Sequence, residues 1–400
     1  MNNVLVVNSG SSSIKYQIID MDTEQLLTKG LIERIGTDHG VINHTAPDGE
    51  KHIFERPVLD HIAGFRAMVK ACDTYGPRLD EVQITAVGHR VVQGGARFIE
   101  PTVIDDAVVR TVEEISPLAP LHNPPNLLGI QAARKTFPDI PHVGIFDTAF
   151  HQTMPPEAYT YAIDTNLARQ FRVRRYGFHG TSHKYVSELA AEYLQMPLES
   201  VNTIVLHIGN GVSVTAVQGG KSVETSMGMT PLEGLVMGTR SGDIDPGILF
   251  HLHRQAGMTP EQLDDLLNRR SGLLGMTGSS DMRDVMASVE RGDPRAELAL
   301  ATYCHRLKGY IGAYYAHLGK VDAIAFTAGV GENVPEVRAR ALSGLENLGI
   351  RLDEHANNER GDGIRRVSAH DSDVAVLVIP TNEELEIARQ TVQAISTVSA

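Results

Sequence analysis

At 400 residues the chain is too long for one comfortable hydrophobic core, so two domains are expected. Its net charge of −13, with 42% hydrophobic and 21% charged residues, suits a soluble globular protein and excludes general affinity for nucleic acid or anionic membranes. Two cysteines, Cys72 and Cys304, make no disulfide framework, and no apolar run approaches the ~20 residues of a membrane span. The first residues carry no basic stretch and turn polar at Asn8, so the expectation is a cytoplasmic protein without a signal peptide.

In chain order, Val4–Val7 reads as a buried strand, followed by the polar turn Asn8-Ser9-Gly10-Ser11-Ser12-Ser13. Ile14, Tyr16 and Ile18 then alternate as a returning strand. Ile84–Val87 and Val143–Phe146 read as further buried strands, and Asn123-Pro124 opens a helix between them. Met154-Pro155-Pro156 breaks the pattern and sets a domain boundary near residue 150. The domains expected are 1–150 and 151–384, with a C-terminal helix over 385–400 packing back on the first. The strand–turn–strand theme recurs at Thr203–Ile208, His207-Ile208-Gly209-Asn210-Gly211-Val212-Ser213 and the alternating Val212, Val214 and Ala216. Gly220-Lys221-Ser222 invites a phosphate-loop reading, but position 215 is threonine where glycine is needed, so a plain hairpin turn is expected.

Further on, Thr259-Pro260-Glu261-Gln262 matches a capping box, and Asp293-Pro294 and Val334-Pro335 place proline in a first helical turn. Ile324–Phe326 is a strand leading to the turn Thr327-Ala328-Gly329-Val330-Gly331-Glu332-Asn333. Val374–Ile379 is another, and Thr381-Asn382-Glu383-Glu384 again matches the capping box. Strands alternating with helices imply an α/β fold with largely parallel sheets. Three glycine-containing turns after strands, drawn from both halves, offer unobstructed backbone N–H groups. They point to a nucleotide held between two similar domains, and to phosphoryl transfer.

An acidic chain needs local cations to hold an anion. Arg90, in His89–Gly95, and Arg240, in Met237–Asp243, are flanked by glycine and small polar residues off strand ends. They suit bidentate anion clamping, or are ordinary loop arginines. Lys15 reads as a phosphate contact or a solvated edge lysine. Asp147 ends a strand, where open α/β sheets place ligands, or caps its loop. His179 and His183 have metal-pair spacing but lack the glutamate of a zinc-protease motif, so one donating to an anion and one packing is the preferred reading. His122 is ambiguous. Glu383 is a magnesium ligand or a first-turn glutamate, since Glu384 fills the capping position.

Together the segments Asn8–Ser13, His89–Gly95, Phe146–His151, Tyr176–His183, His207–Ser213, Met237–Pro246, Ser280–Arg283, Gly329–Asn333 and Thr381–Leu385 closely resemble the acetate kinase family. That family belongs to the superfamily of acetate and sugar kinases, heat-shock chaperone ATPases and actin. The resemblance implies two similar domains with a βββαβαβα core, ATP in the interdomain cleft, and a homodimer. It implies Asn8 and Glu383 near Mg²⁺, for which Mn²⁺ can substitute, and Lys15 near the nucleotide phosphates. It implies His207, Ile208, Gly209, Asn210 and Gly211, then Asp281, Met282 and Arg283, then Gly329, Val330, Gly331, Glu332 and Asn333, along the nucleotide. Arg90 would hold the acyl substrate, Asp147 would be the active-site carboxylate, and His179 with Arg240 would stabilise the transition state. Val92, Leu121, Phe178 and Pro231 would pack the acetate methyl, with His122 beside them. Ala328 and Met229 stand where the family commonly has glycine and phenylalanine.

The expected partners are acetate or acetyl phosphate and ATP or ADP. Acetate is ionised at neutral pH, its pKa lying near ~4, so it attacks a phosphoryl group without a general base. Asp147 is therefore expected to orient an arginine or a metal-bound water. A propionate or other short-chain acyl kinase is the alternative, because one methylene changes specificity by only ~1–3 kcal/mol. A sugar kinase would need a polar acceptor pocket, and a filament or chaperone ATPase has no use for two acceptor-side arginines.

Overall fold

Strand β1 (Asn3–Ser9) is apolar from Val4 to Val7 because both of its faces are covered. Val4 and Val6 point to one side of the sheet and Leu5 and Val7 to the other, the period-two alternation of a strand. In this computed structural model residues 2–398 are described. The chain divides into two compact units, residues 1–150 with 382–400, and residues 151–381.

In the first unit β1 is joined by β2 (Ser13–Asp20), β3 (Gln25–Glu33), β4 (Thr37–Thr45), β5 (Lys51–Val58), β6 (Ile84–Val91), β7 (Thr102–Val103) and β8 (His142–Phe146). The strand order is β5-β4-β3-β2-β1-β6-β8-β7. Strands β1 to β5 form an antiparallel meander, and only β1–β6 and β6–β8 pair in parallel. One face packs Leu5, Ile14, Tyr16 and Val87 against Phe65 and Met68 of the helix His61–Tyr75 and Ala132 and Ala133 of the helix Asn123–Thr136. The other packs Val4, Val6, Ala86, Val143 and Ile145 against Leu385, Ile387 and Ala388 of the helix Glu383–Val398. Gly88 of β6 allows that helix to approach, since a Cβ there would lie 2.4 Å from Thr391 Oγ1. The last two residues of the expected 385–400 helix lie outside the described residues.

The second unit repeats the plan with β9 (Asn202–Ile208), β10 (Val212–Gln218), β11 (Lys221–Thr225), β12 (Ala323–Thr327), β13 (Arg365–Arg366) and β14 (Ala375–Val378). Its order is β11-β10-β9-β12-β14-β13. In β3-β2-β1-β6-β8 and in β11-β10-β9-β12-β14 alike, two antiparallel pairings are followed by two parallel ones. The fold is thus α/β with two similar domains of the actin-like ATPase plan. The helix Gly180–Tyr193 lies against β9 and β12, and the helix Pro294–Leu318 against β9 and β10.

Two expectations are corrected. The sheets are mixed rather than largely parallel, because short turns join the first strands of each unit and a short turn can only return a strand antiparallel. The third glycine segment is a short helix, Ala328–Asn333, rather than an open turn. Gly219 and Gly220 both have positive φ and close the β10–β11 hairpin, the turn expected before Lys221. No helix among the described residues is long and apolar enough to cross a membrane.

Candidate active site

Parallel pairing of β6 with β8 sets Arg90 opposite Ile145, so Arg90 and Asp147 emerge side by side at one sheet end. Arg90 Nε donates to Asp147 Oδ1 at 3.0 Å and Nη2 donates to Oδ2 at 2.8 Å, a two-pronged fork. Both partners of the fork are ionised, because each carboxylate oxygen accepts a hydrogen bond. Burial opposes the Arg90 charge, but Asp147 and then Glu383 hold its pKa above the ordinary guanidinium value. Burial raises the Asp147 carboxyl, opposed by the charge and hydrogen bonds of Arg90. Glu383 Oε2 lies 3.8 Å from Arg90 Nη2, and Lys15 on β2 forms an ion pair with Glu384. Asn8 faces Lys15 across the β1–β2 ladder. Asn8, Lys15, Arg90, Glu383 and Glu384 line one cavity of about 80 Å³.

The last helix is not opened by the capping box expected at Thr381. Asn382 Oδ1 accepts from the Leu385 N–H at 3.1 Å, while the Thr381 hydroxyl meets Ser182 Oγ at 3.0 Å. Glu384 turns to Lys15 instead of capping. Both Glu383 and Glu384 therefore face the cavity.

Sequence reading missed what shapes the segment after Arg90. Asn126 Oδ1 accepts from Val92 N at 3.0 Å and its Nδ2 donates to Ser9 O at 2.7 Å. Asn123 exchanges bonds with the backbone of Gln93, and Thr148 Oγ1 accepts from Gly94 N. The signal was the paired asparagines of Asn123-Pro124-Pro125-Asn126, three apart and so on one helix face. Leu121 is half exposed, and His122 sits where its charge would lower the Asp147 pKa.

In the second unit His179 precedes the helix Gly180–Tyr193 in a left-handed conformation, φ 56°. Its Nδ1 lies 2.9 Å from Ser213 Oγ, and its ring stacks on His207 at 4.2 Å between centroids. His183 is fully buried, burial lowers its pKa, its Nε2 lies 2.7 Å from Ser213 Oγ, and no metal-holding group among the described residues includes it. Phe178, next to His179 in sequence, is buried, its carbonyl accepting from His151 Nε2. Arg240 Nη1 donates to Pro231 O at 3.0 Å. Burial lowers the Arg240 pKa, and no carboxylate pairs with it among the described residues. A guanidinium without a carboxylate partner is chemically able to take an anion as its counter-charge. A Cβ on Gly211 would lie 3.4 Å from His179 Cε1 and 3.5 Å from Arg240 Nη1, so both side chains border the same small space.

A cavity of about 670 Å³ in this unit is lined by Gly209, Asn210, Asp281, Met282, Arg283, Gly329, Val330 and Asn333 from the expected nucleotide set. Gly238, Leu273, Ser280, Tyr303, Val334 and Arg360 line it too and were not expected. Asp281 caps the helix Met282–Glu290 by accepting from Arg283 N, and the exposed Arg283 side chain forks back onto it. His207, Ile208, Gly211, Gly331 and Glu332 are not among the lining residues. Glu332 borders a neighbouring cavity and accepts from Thr381 N at 3.3 Å. Lys15 belongs to the first unit, beside Asn8 and Arg90. Ala328 has φ 63°, the left-handed region that favours glycine. Met229 N donates to Tyr161 Oη at 3.0 Å.

No group of three or more His, Cys, Asp or Glu among the described residues is arranged to hold a metal ion. Glu383 and Asn8 line a small polar cavity, and the second carboxylate there, Glu384, is paired with Lys15. That donor set fits Mg²⁺, which keeps several waters and is held by one or two carboxylates with substrate phosphates.

Residues 3–389 match the model of the acetokinase family. An acetate kinase of Leifsonia xyli subsp. xyli is 61% identical over 99% of this chain and 100% of its own. The crystal structure of Porphyromonas gingivalis acetate kinase superposes with a TM-score of 0.95 at 43% identity, covering 99% of this chain and 100% of that one. A propionate kinase from Francisella tularensis superposes at 0.92 with 40% identity, covering 98% and 100%. Motifs, duplicated fold and full-length similarity agree, and the chain belongs to the acetokinase family.

Proposed function

We propose that the protein transfers the γ-phosphoryl group of ATP to acetate, reversibly, giving acetyl phosphate and ADP. The observation that carries this reading is the pair of half-buried guanidiniums. Arg90 is aimed by Asp147, and Arg240 has no carboxylate partner among the described residues. Like-charge repulsion between a carboxylate and a triphosphate is the main obstacle, and fixed cations answer it in the ground state and the transition state. Acetate needs no base, and Asp147 is engaged by Arg90 through both oxygens, so its role is to orient that arginine. Arg90 binds the acyl carboxylate, while His179 and Arg240 stabilise the transferring phosphoryl group. Lys15 neutralises nucleotide phosphate charge. The loop Gly209–Gly211 with Asp281–Arg283 and Gly329–Asn333 seats the nucleotide.

Asn8 and Glu383 would hold Mg²⁺, which when bound neutralises phosphate charge. Val92, Leu121, Phe178 and Pro231 would contact the methyl group. A propionate preference is the second reading, favoured by the likeness to the Francisella tularensis propionate kinase. A homodimer in the cytoplasm is the proposed setting. The helix Gly247–Ala256 buries none of its residues and exposes Ile248 and Phe250, an apolar surface that a second copy would cover.

Hydroxamate detection of acyl phosphate from ATP and Mg²⁺ tests the reading, with acetate, propionate, butyrate and glycerol as acceptors. The expected result is the highest kcat/KM for acetate. Preference for propionate would keep the mechanism and change the substrate, and ATP hydrolysis without any acyl phosphate would overturn both.

A further inference from the structure

Ser213 Oγ is held between two imidazoles, 2.7 Å from His183 Nε2 and 2.9 Å from His179 Nδ1. A hydroxyl carries one proton and two lone pairs, and no third group bonds this one among the described residues. If both rings donated, the buried Ser213 proton would have no acceptor, so one ring donates to Ser213 and Ser213 donates to the other. His183 decides which. It is 0% exposed, and its Nδ1 has no hydrogen-bond partner. If Ser213 donated to His183, the His183 proton would sit on Nδ1 as a buried N–H with nothing to receive it. Orphaned buried N–H groups are rare, and a bare acceptor is the milder deficit. The doubly protonated ring is excluded by desolvation, reinforced by His151 and His207.

We infer that His183 and Ser213 form a directional relay, His183 Nε2–H to Ser213 Oγ and Ser213 Oγ–H to His179 Nδ1, that keeps the His179 proton on Nε2. His179 is thereby a neutral donor, and Ser213 and His183 are positioning residues. This rests on the reading of His179 as the group that contacts the transferring phosphoryl.

The geometry gives the relay its purpose. A Cβ built on Gly211 would lie 3.5 Å from His179 Nε2 and 3.5 Å from Arg240 Nη1. The Nε2 edge and the guanidinium thus border one small space. With its proton on Nε2, His179 adds a second donor toward that space without adding a second positive charge beside Arg240. With its proton on Nδ1, Nε2 would turn a lone pair toward phosphoryl oxygens. The ring is fixed in this attitude by the left-handed backbone of His179 and by its stack on His207. Sequence alone offered His179 and His183 as an i, i+4 pair, and the serine that links them lies on β10, 30 residues beyond His183.

The test is two- and three-bond proton–nitrogen NMR on full-length protein labelled with ¹⁵N-histidine, without substrate. The His179 signal is assigned by its loss in His179→Asn. The expected wild-type pattern at neutral pH is a neutral ring with bare Nδ1 and protonated Nε2. Ser213→Ala should give a tautomer mixture and lower kcat on the order of tenfold or more, with less change in the acetate KM. Ser213→Thr, which keeps the hydroxyl in a strand, should restore both. A wild-type His179 protonated on Nδ1 or on both nitrogens would overturn the relay, as would an unchanged tautomer in Ser213→Ala. A changed tautomer with wild-type kcat would overturn the positioning role. Because the tautomer is read without turnover, failure to form acyl phosphate would sink the catalytic reading and leave the relay to be judged on its own signal.

Discussion

Arg90 and Asp147 are joined through both carboxylate oxygens, with Asp147 almost fully buried and Arg90 keeping one edge open. The fork fixes the plane of the guanidinium, and Glu383 at 3.8 Å adds charge without displacing it. An aspartate with both oxygens committed to a guanidinium fits the proposed orienting role rather than that of a base.

Asp147→Asn should therefore lower kcat/KM for acetate on the order of 10²-fold or more while the ATP KM changes little. Leaving Arg90 without its main counter-charge should also cost about 2–4 kcal/mol of stability, somewhat less than a fully buried pair. Steady-state kinetics and urea denaturation check both. A proton-accepting aspartate would instead leave acetate binding intact and impose a new pH dependence on kcat.

Arg240→Ala should lose ~10³-fold in kcat with only a small change in the acetate KM, as for other arginines that meet transferring phosphoryl groups. Because burial already disfavours the Arg240 charge, folding should not suffer from its removal. A raised KM with normal kcat would assign it to ground-state binding.

Gly211→Ala separates folding from catalysis. Its methyl would make ordinary contacts of 3.4 to 3.5 Å with His179 and Arg240, so stability should change by less than about 0.5 kcal/mol. The same methyl fills the space those side chains border, so kcat should fall on the order of 10²-fold. Wild-type activity in a stable Gly211→Ala variant would place phosphoryl transfer elsewhere.

Acid should weaken the fold before most carboxylates titrate. Burial lowers the pKa of His89, His183 and His151, the last from 6.5 to about 4. Each takes up a proton in the unfolded chain near 6.5 and resists it when folded, so unfolding binds protons as pH falls. Stability should be full above about pH 6.5 and fall toward pH 4, by up to about 1.4 kcal/mol per pH unit for each histidine. Urea midpoints at pH 8 and 5.5 measure this, and equal midpoints would contradict it.

Ala328→Gly should stabilise the protein by up to about 1.6 kcal/mol. The left-handed backbone at φ 63° costs alanine ~1–2 kcal/mol, of which the freer unfolded glycine chain takes back ~0.4–1 kcal/mol. Ala328→Val should destabilise it, and a loss of stability in the glycine variant would show that the methyl contact outweighs the strain. Denaturation midpoints decide it.

Buried strands were legible because a strand covered on both faces is apolar in its central run, as Val4–Val7, Ile204–Leu206 and Ile324–Phe326 are. Local chemistry was legible where it stays local. Thr259 and Gln262 form their capping box because both partners lie within one turn. The same pattern failed at Thr381, because Ser182 takes its hydroxyl and Lys15 takes Glu384, and neither competitor is near in sequence.

The sequence by itself determined the buried central strands, the first two glycine turns after them and the family whose motifs it carries, because each depends on residues adjacent along the chain. Tertiary structure alone decided that the sheets are mixed and that Asp147 is spent on Arg90. It also decided that Asn126 ties Val92 to Ser9 and that Ser213 links two histidines. Those relations join residues from about 30 to more than 100 positions apart, and strand register, which no single segment encodes, brings them within hydrogen-bond reach.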